Sequence, residues 1–309
     1  MPQTQKHHIV PKTYLRRFSP DGHRLSAFDK FSGAVIPTNI VDVAQKRFFY
    51  NVDPALLQGT ISPLVIEDYL GRWETFYGRV LDLAEQASEL GVLPVGLREV
   101  LAFFIQLQTV RTPEFRDRMT EVFSAGEEAF HARASRDGYR GEMPDLSHLA
   151  AFTPEDAATW QGILLGDARV MNELAQPLLG LIWYFRRNET TELLYTSDNP
   201  VARIAHTEQP LVGSGGWTAE GMEVQFPINP RLVLILKERT HFARLADADG
   251  QTFVMDHDDV RLCNFQQVSK CLRHVYSADP SFQTAIAACA EFPELRQADR
   301  HRLDFVTGS

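Results

Sequence analysis

The side chains able to do chemistry gather at four places in this 309-residue chain. The first is Lys6 to Phe18, where His7 and His8 stand side by side ahead of Pro11, Tyr14, Arg16 and Arg17, with no acid before Asp21. A neutral imidazole can ligate a divalent metal or accept a proton near pH 7. Two adjacent imidazoles on an extended segment point to opposite sides. One of them therefore faces a given pocket, and His8, on the side of Val10, is the expected one; His7 shares its side with Ile9. The second place is Glu67 and Glu74, seven residues apart in a helical pattern and so near one face. Glu74 is the carboxylate expected beside the histidines, a solvated stripe being the plainer alternative. The third is Arg111, at the end of an apolar helical run interrupted by Gln106 and Gln108. A buried guanidinium must be paired with a carboxylate or aimed at an anionic ligand. The fourth is Asp198, in the turn Ser197-Asp198-Asn199-Pro200 at the end of a strand, where sites tend to form. An Asx turn, in which Asp198 or Asn199 bonds the backbone beyond it, is the structural alternative.

These residues support three readings. In the first, His7, His8, Glu74 and Asp198 supply the ligands of a divalent cation that lowers the pKa of its water, while Arg111 neutralises the developing anion. That is a metal-dependent hydrolase, a nuclease or phosphodiesterase, with His8, Asp198 and Arg111 as its catalytic set and a small anionic compound or nucleic acid as substrate. In the second, no cation and no turnover are needed: Arg111, Arg16 and the histidines hold a small anionic ligand by charge-assisted hydrogen bonds, with Asn199 and Gln106 completing the pocket. In the third, the polar residues fasten the amino-terminal segment to the body, with His8 paired to Asp198 as a lock. The first two need the opening segment docked against later parts of the chain, and four apolar anchors, Ile9, Val10, Leu15 and Phe18, imply that docking.

Composition narrows the classes. A formal net charge of −9 argues against a protein that coats nucleic acid by charge alone. With 44% hydrophobic and 23% charged residues the chain can build a sizeable core, as one domain over 1–309. Its longest apolar stretch, Leu178 to Phe185, falls short of the roughly 20 residues a membrane span needs. The opening residues lack the order of a secretory signal, and Cys263, Cys271 and Cys289 form no paired framework. A cytoplasmic protein with buried cysteines is the expectation.

The elements that must position these residues fall into three regions. Residues 1–60 carry the opening segment and a hairpin, with Leu25, Ala27 and Phe28 before a Phe31-Ser32-Gly33 turn and Val35 and Ile36 after it. Residues 61–188 read as helices. One starts at Ser62-Pro63 and keeps apolar residues three and four apart from Ile66 to Ala84. One is apolar nearly all round, from Gly96 to Leu107. Two begin at Thr112-Pro113-Glu114 and Thr153-Pro154-Glu155, the first fading into a loop to about Leu149 and the second reaching Arg187 with a break near Pro177. Residues 189–309 read as strands: around Leu193 to Tyr195, a hairpin from Val224 to Leu236, another at His241 to Leu245, and one at Val275 and Tyr276. The Gly213 to Gly216 loop lacks the lysine and spacing of a phosphate loop. The Asp256-His257-Asp258-Asp259 cluster suits a helix start, capped by Asp258, better than a metal site. A last helix spans Pro280 to Ala290. The fold class is α+β: a helical middle packed on a mainly antiparallel sheet that the later strands and the amino-terminal hairpin build together.

The opening K-x-H-H-x-V-P-x-x-Y-L-R-x-F, the R-T-P within Gln106 to Pro113, the Ser-Asp-Asn-Pro turn and Asn264 together resemble the domain of unknown function 4238 family of bacterial proteins, over about Lys6 to Ser277. The resemblance implies that His7, His8, Arg111, Asp198 and Asn199 form one constellation, and it implies no activity. His7-His8-Ile9-Val10-Pro11 is also similar to the opening of a beta-beta-alpha metal-finger nuclease motif. That motif goes on to an asparagine, a place Asn39 could fill, and to a further histidine; here no histidine lies between His23 and His131.

Overall fold

A computed structural model describes residues 6–50, 65–136, 141, 151–207 and 216–298. A short strand, β1 (Lys6–His8), leads through Pro11 into one helical turn, α1 (Lys12–Leu15). The hairpin follows as β2 (Arg24–Asp29) and β3 (Ala34–Asn39), then β4 (Gln45–Arg47) returns to pair antiparallel with β1. Three helices come next: α2 (Val65–Leu90), α3 (Val95–Val110) and α4 (Pro113–Arg136). The helix start at Ser62-Pro63 and the loop after Arg136 lie outside the described residues, apart from Gly141, as does Gly213–Gly216 up to residue 215.

The Thr153-Pro154 start holds. Thr153 caps α5 (Pro154–Gly166) by accepting from the Asp156 amide, and Asp156 returns a bond to the Thr153 amide. The break expected at Pro177 falls instead at Asp167, whose carboxylate accepts from the amides of Arg169 and Val170 and so starts α6 (Ala168–Leu179). Pro177 sits inside α6, close to its end.

The helix also stops well before Arg187. Ile182 to Asn188 form a strand, β5, because Ile182, Trp183, Tyr184 and Phe185 are β-branched and aromatic and are buried on both faces. After β6 (Thr196–Ser197) come β7 (Ala202–Ala205), β8 (Met222–Asn229), β9 (Leu232–Lys237) and β10 (Thr252–Met255). These make a five-stranded sheet of order β10-β5-β9-β8-β7, antiparallel except for the β10–β5 pair.

The stretch expected as a strand at His241 to Leu245 gives way to a 3₁₀ turn over Ala243–Ala248. The cap of α7 (His257–Lys270) is Asp256 rather than Asp258, with Asp259 closing the capping box. The last elements are β11 (His274–Ser277) and α8 (Gln283–Glu291).

The hairpin and β11 do share a sheet, of order β3-β2-β11-β6, but it is separate from the five-stranded one. The fold is thus α+β with two main sheets where one was expected. The principal core lies where α2, α3 and α6 meet one face of the five-stranded sheet, around Tyr14, Phe104, Ile105, Trp183 and Phe226. Burying side chains of this size contributes about 1.5–3 kcal/mol each. Among the described residues no helix is long and apolar enough to cross a membrane.

Candidate functional site: an amino-terminal clamp and a cavity on one helix

The opening segment is locked to the body residue by residue. His7 is fully buried; its Nδ1 accepts from the Tyr50 amide at 2.9 Å, and its ring stacks on Tyr50 with centroids 5.5 Å apart. The Tyr50 hydroxyl donates to the Arg111 carbonyl at 2.7 Å. Arg111 in turn donates from Nη2 to the His8 carbonyl at 2.6 Å and to Glu74 Oε1 at 3.1 Å. Gln108 Nε2 donates to the Ile9 carbonyl at 3.0 Å, and the Ile9 amide to the Ala44 carbonyl at 2.8 Å.

Farther along, the Tyr14 hydroxyl donates to the Pro227 carbonyl at 2.7 Å and lies 2.8 Å from Thr196 Oγ1. Its one hydrogen is given to Pro227, so Thr196 is the donor of the second bond. Packing is close as well: a Cβ on Gly78 of α2 would stand 2.9 Å from the Thr13 methyl. Arg16 belongs to the 3₁₀ turn that follows α1 and is exposed.

Electrostatics follow from this burial. Desolvation, helped by the charges of Lys12 and Arg111 and opposed by Glu74 and a bond to the Val41 backbone, lowers the His8 imidazole to about 4, so it is neutral at pH 7. Burial raises Glu67, and it pushes the Tyr50 hydroxyl up to about 12. Burial by itself would lower Arg111, but Tyr50 and Glu74 more than offset it and hold the guanidinium charged. Among the described residues, Tyr77 Oη, Gln108 Oε1 and Arg111 Nε find no hydrogen-bond partner, and all three residues line a void of about 10 Å³, the size of one water. The His8 Nε2 is likewise buried with no partner among the described residues.

The opening segment does lie against the turn near position 198. Thr196 meets Tyr14, and Ile9 and Asp198 border one cleft of about 410 Å³. The Asp198 carboxylate, however, is committed to three backbone amides, those of Leu272, Arg273 and His274, at 2.8–2.9 Å. Its nearest imidazole is that of His274, with Nδ1 3.9 Å away, and not that of His8. The expected His8–Asp198 lock is replaced by the bonds of His8's carbonyl. Among the described residues, no three histidine, cysteine, aspartate or glutamate side chains are grouped so as to hold a metal ion.

Asn199 and Gln106, the two residues expected to complete a pocket, do come together. Both border a cavity of about 460 Å³ between α3, α4 and α6 on one side and β7 on the other. Asn199 is fixed by donating to the Lys270 carbonyl at 2.9 Å. Gln106 is fixed by accepting from Trp217 Nε1 at 2.7 Å, and the Arg203 guanidinium lies 4.7 Å from the centre of the Trp217 ring. Phe115, Met119 and Leu174 supply apolar wall, and Arg118, Arg203 and Lys270 set three cations against the carboxylates of Glu114 and Glu173.

Trp217, Arg203, Arg118 and Lys270 were not among the candidates in the sequence, since each stands on a different element. The one visible signal is a lone tryptophan after Gly215-Gly216, a large apolar side chain in a glycine-rich loop that the structure buries against the principal core.

With this geometry in hand, the chain belongs to the family described as Protein of unknown function (DUF4238), whose model matches residues 6–281. Both the clamp and the cavity lie within the matched region. No curated protein and no solved structure matches the chain.

Proposed function

We propose that this protein binds a small organic anion with a sizeable apolar body, held in the cavity between α3, α4, α6 and β7. The observation that carries the reading is the cavity itself: about 460 Å³, walled by Phe115, Met119 and Leu174 and, among the described residues, bordered by three cations and two carboxylates in a chain of net charge −9. Ligand sites are concave, mostly apolar and furnished with a few placed polar groups, in volumes of roughly 300–1,000 Å³. A local excess of cations in an acidic protein steers an anion to one place. The residues named for metal-assisted hydrolysis bond the backbone and one another, which favours binding over that chemistry.

The test is saturable binding of 8-anilinonaphthalene-1-sulfonate, an anion with an apolar body, followed by fluorescence. One site per chain is expected, lost when Leu174→Trp or Met119→Trp fills the cavity while the melting transition stays cooperative. Binding that is absent, unsaturable or indifferent to both substitutions rejects the reading.

A further inference from the structure

We infer that the ligand's apolar body is a planar aromatic ring, recognised by the Arg203–Trp217 pair; this rests on the cavity being a binding site for an organic anion.

Trp217 is held unusually firmly for a residue in a loop. Its indole N–H, the only polar atom of the side chain, is used up on Gln106 Oε1, and Gln106 is itself buried on α3. The ring is packed against the Arg203 guanidinium, which projects from β7. Trp217 is only 8% exposed, yet it borders the cavity together with Arg203. What this pair offers a ligand is therefore flat and fixed in place, and it needs no ordering when the ligand arrives. A tryptophan with its N–H satisfied presents only carbon and π surface, and a guanidinium is a planar cation that stacks on rings as well as pairing with carboxylates.

Two more rings, Phe115 and Phe123 of α4, border the same space. Aromatic rings attract one another through offset and edge-to-face contacts beyond the effect of buried area alone, and cations sit favourably over ring faces. An alkyl chain would gain area from these walls but nothing from their planarity. An aromatic carboxylate or sulfonate would gain both, with its charge met by Arg203, Arg118 or Lys270. At about 460 Å³ the space admits two fused rings with an anionic substituent.

The decisive comparison uses two acids of equal charge and carbon skeleton, 2-naphthoate and its saturated counterpart decahydro-2-naphthoate, each titrated calorimetrically into the full chain. The expected result is that 2-naphthoate binds roughly three- to tenfold more tightly, the range aromatic contacts supply. That preference is lost in Trp217→Leu and kept in Trp217→Phe, which preserves a ring. Thermal melts of both variants accompany the titrations. If Trp217→Leu fails to fold, the Trp217→Phe variant decides, because the inference requires it to retain the selectivity. Equal affinity for the two acids, or a preference indifferent to Trp217, overturns the aromatic inference and leaves anion binding standing. Failure of both acids to bind overturns the aromatic inference and the binding reading together.

Discussion

The clamp and the cavity share a helix and use the same kinds of residue to opposite ends. Around β1 the histidines, Tyr50, Gln108 and Arg111 are turned inward, and their hydrogen bonds run to backbone carbonyls and amides or to each other. Across α3, Gln106 serves to fix Trp217 at the edge of open space, and the cations beside it border about 460 Å³ of room. Position along the helix decides which way each glutamine goes, since Gln106 and Gln108 are two residues apart and cannot share a face. Density of polar residues in a sequence therefore does not distinguish a site from a fastening. What distinguishes them is whether those residues border open space.

If the clamp is a fastening, its residues should carry large stability effects and small binding effects. Arg111→Ala is expected to have the largest. It removes a guanidinium that is 3% exposed and leaves Glu74 and the His8 carbonyl without their partner. Breaking such a pair costs about 3–5 kcal/mol. Chemical denaturation measures that loss, and hydrogen exchange should show it concentrated in residues 6–18. Among molecules that remain folded, the affinity for 2-naphthoate should be unchanged; a fall in affinity matching the fall in stability would place Arg111 in the binding machinery.

Tyr14→Phe comes next. The substitution keeps the ring stacked on Phe226 but strands the buried Pro227 carbonyl and the Thr196 hydroxyl. An orphaned buried acceptor costs about 1–3 kcal/mol, read as a lowered midpoint in urea. A change under a few tenths of a kcal/mol would mean that water replaces the hydroxyl without penalty.

What could be read in the sequence follows the same division. Anchoring of the opening segment was legible, because Ile9, Val10, Leu15 and Phe18 have no other use, and all four are buried. Helix starts at Pro113 and Pro154 were legible because proline at the first helical position and, at Thr153, side-chain capping are local chemistry. The strand Ile182–Asn188 was not, since a strand buried on both faces and a buried helix give the same continuous apolar run. Asp198 and Asn199 could be recognised as a turn, but not that they serve opposite neighbourhoods. Asp198 bonds residues 272–274 beside one cleft, and Asn199 borders the large cavity. Nor could the pairing of Arg203 with Trp217 be foreseen, because it depends on how β7 and a distant loop are brought together.

His8 gives the comparison a pH dependence. Its imidazole is held near 4 in the folded chain against an ordinary 6.5. The unfolded chain therefore takes up a proton below about pH 6.5 that the folded chain refuses until about pH 4, so the contribution is intact above 6.5 and is lost as pH falls between those values. At 1.36 kcal/mol per pKa unit, discounted for partial exposure, the loss is about 1–2 kcal/mol. Glu67, raised in the fold, acts with the opposite sign at the lower end of the range. The informative quantity is accordingly the difference in stability between wild type and His8→Gln, measured by urea denaturation from pH 7 to pH 4. It should shrink by that amount as the pH drops; a constant difference would mean that His8 titrates normally and lies more open than the clamp geometry requires.

Arg203→Met should show the reverse balance. The substitution keeps an unbranched apolar stem beside Trp217 and removes the planar cation, and the cation–π contact with Trp217 accounts for about 0.5–1 kcal/mol of the stability lost. If the guanidinium meets the ligand's charge, affinity for 2-naphthoate should fall by about 1.5–3 kcal/mol, roughly ten- to a hundredfold, because a hydrogen bond to a charged group is lost. Arg111→Ala and Arg203→Met would then form a crossed pair: one arginine holds the protein together and leaves the ligand alone, the other does the opposite. Two arginines with parallel effects on stability and affinity would show instead that clamp and cavity act as one unit through α3, whose Gln108, with Arg111 at the C-cap, holds the first and whose Gln106 and Thr109 border the second.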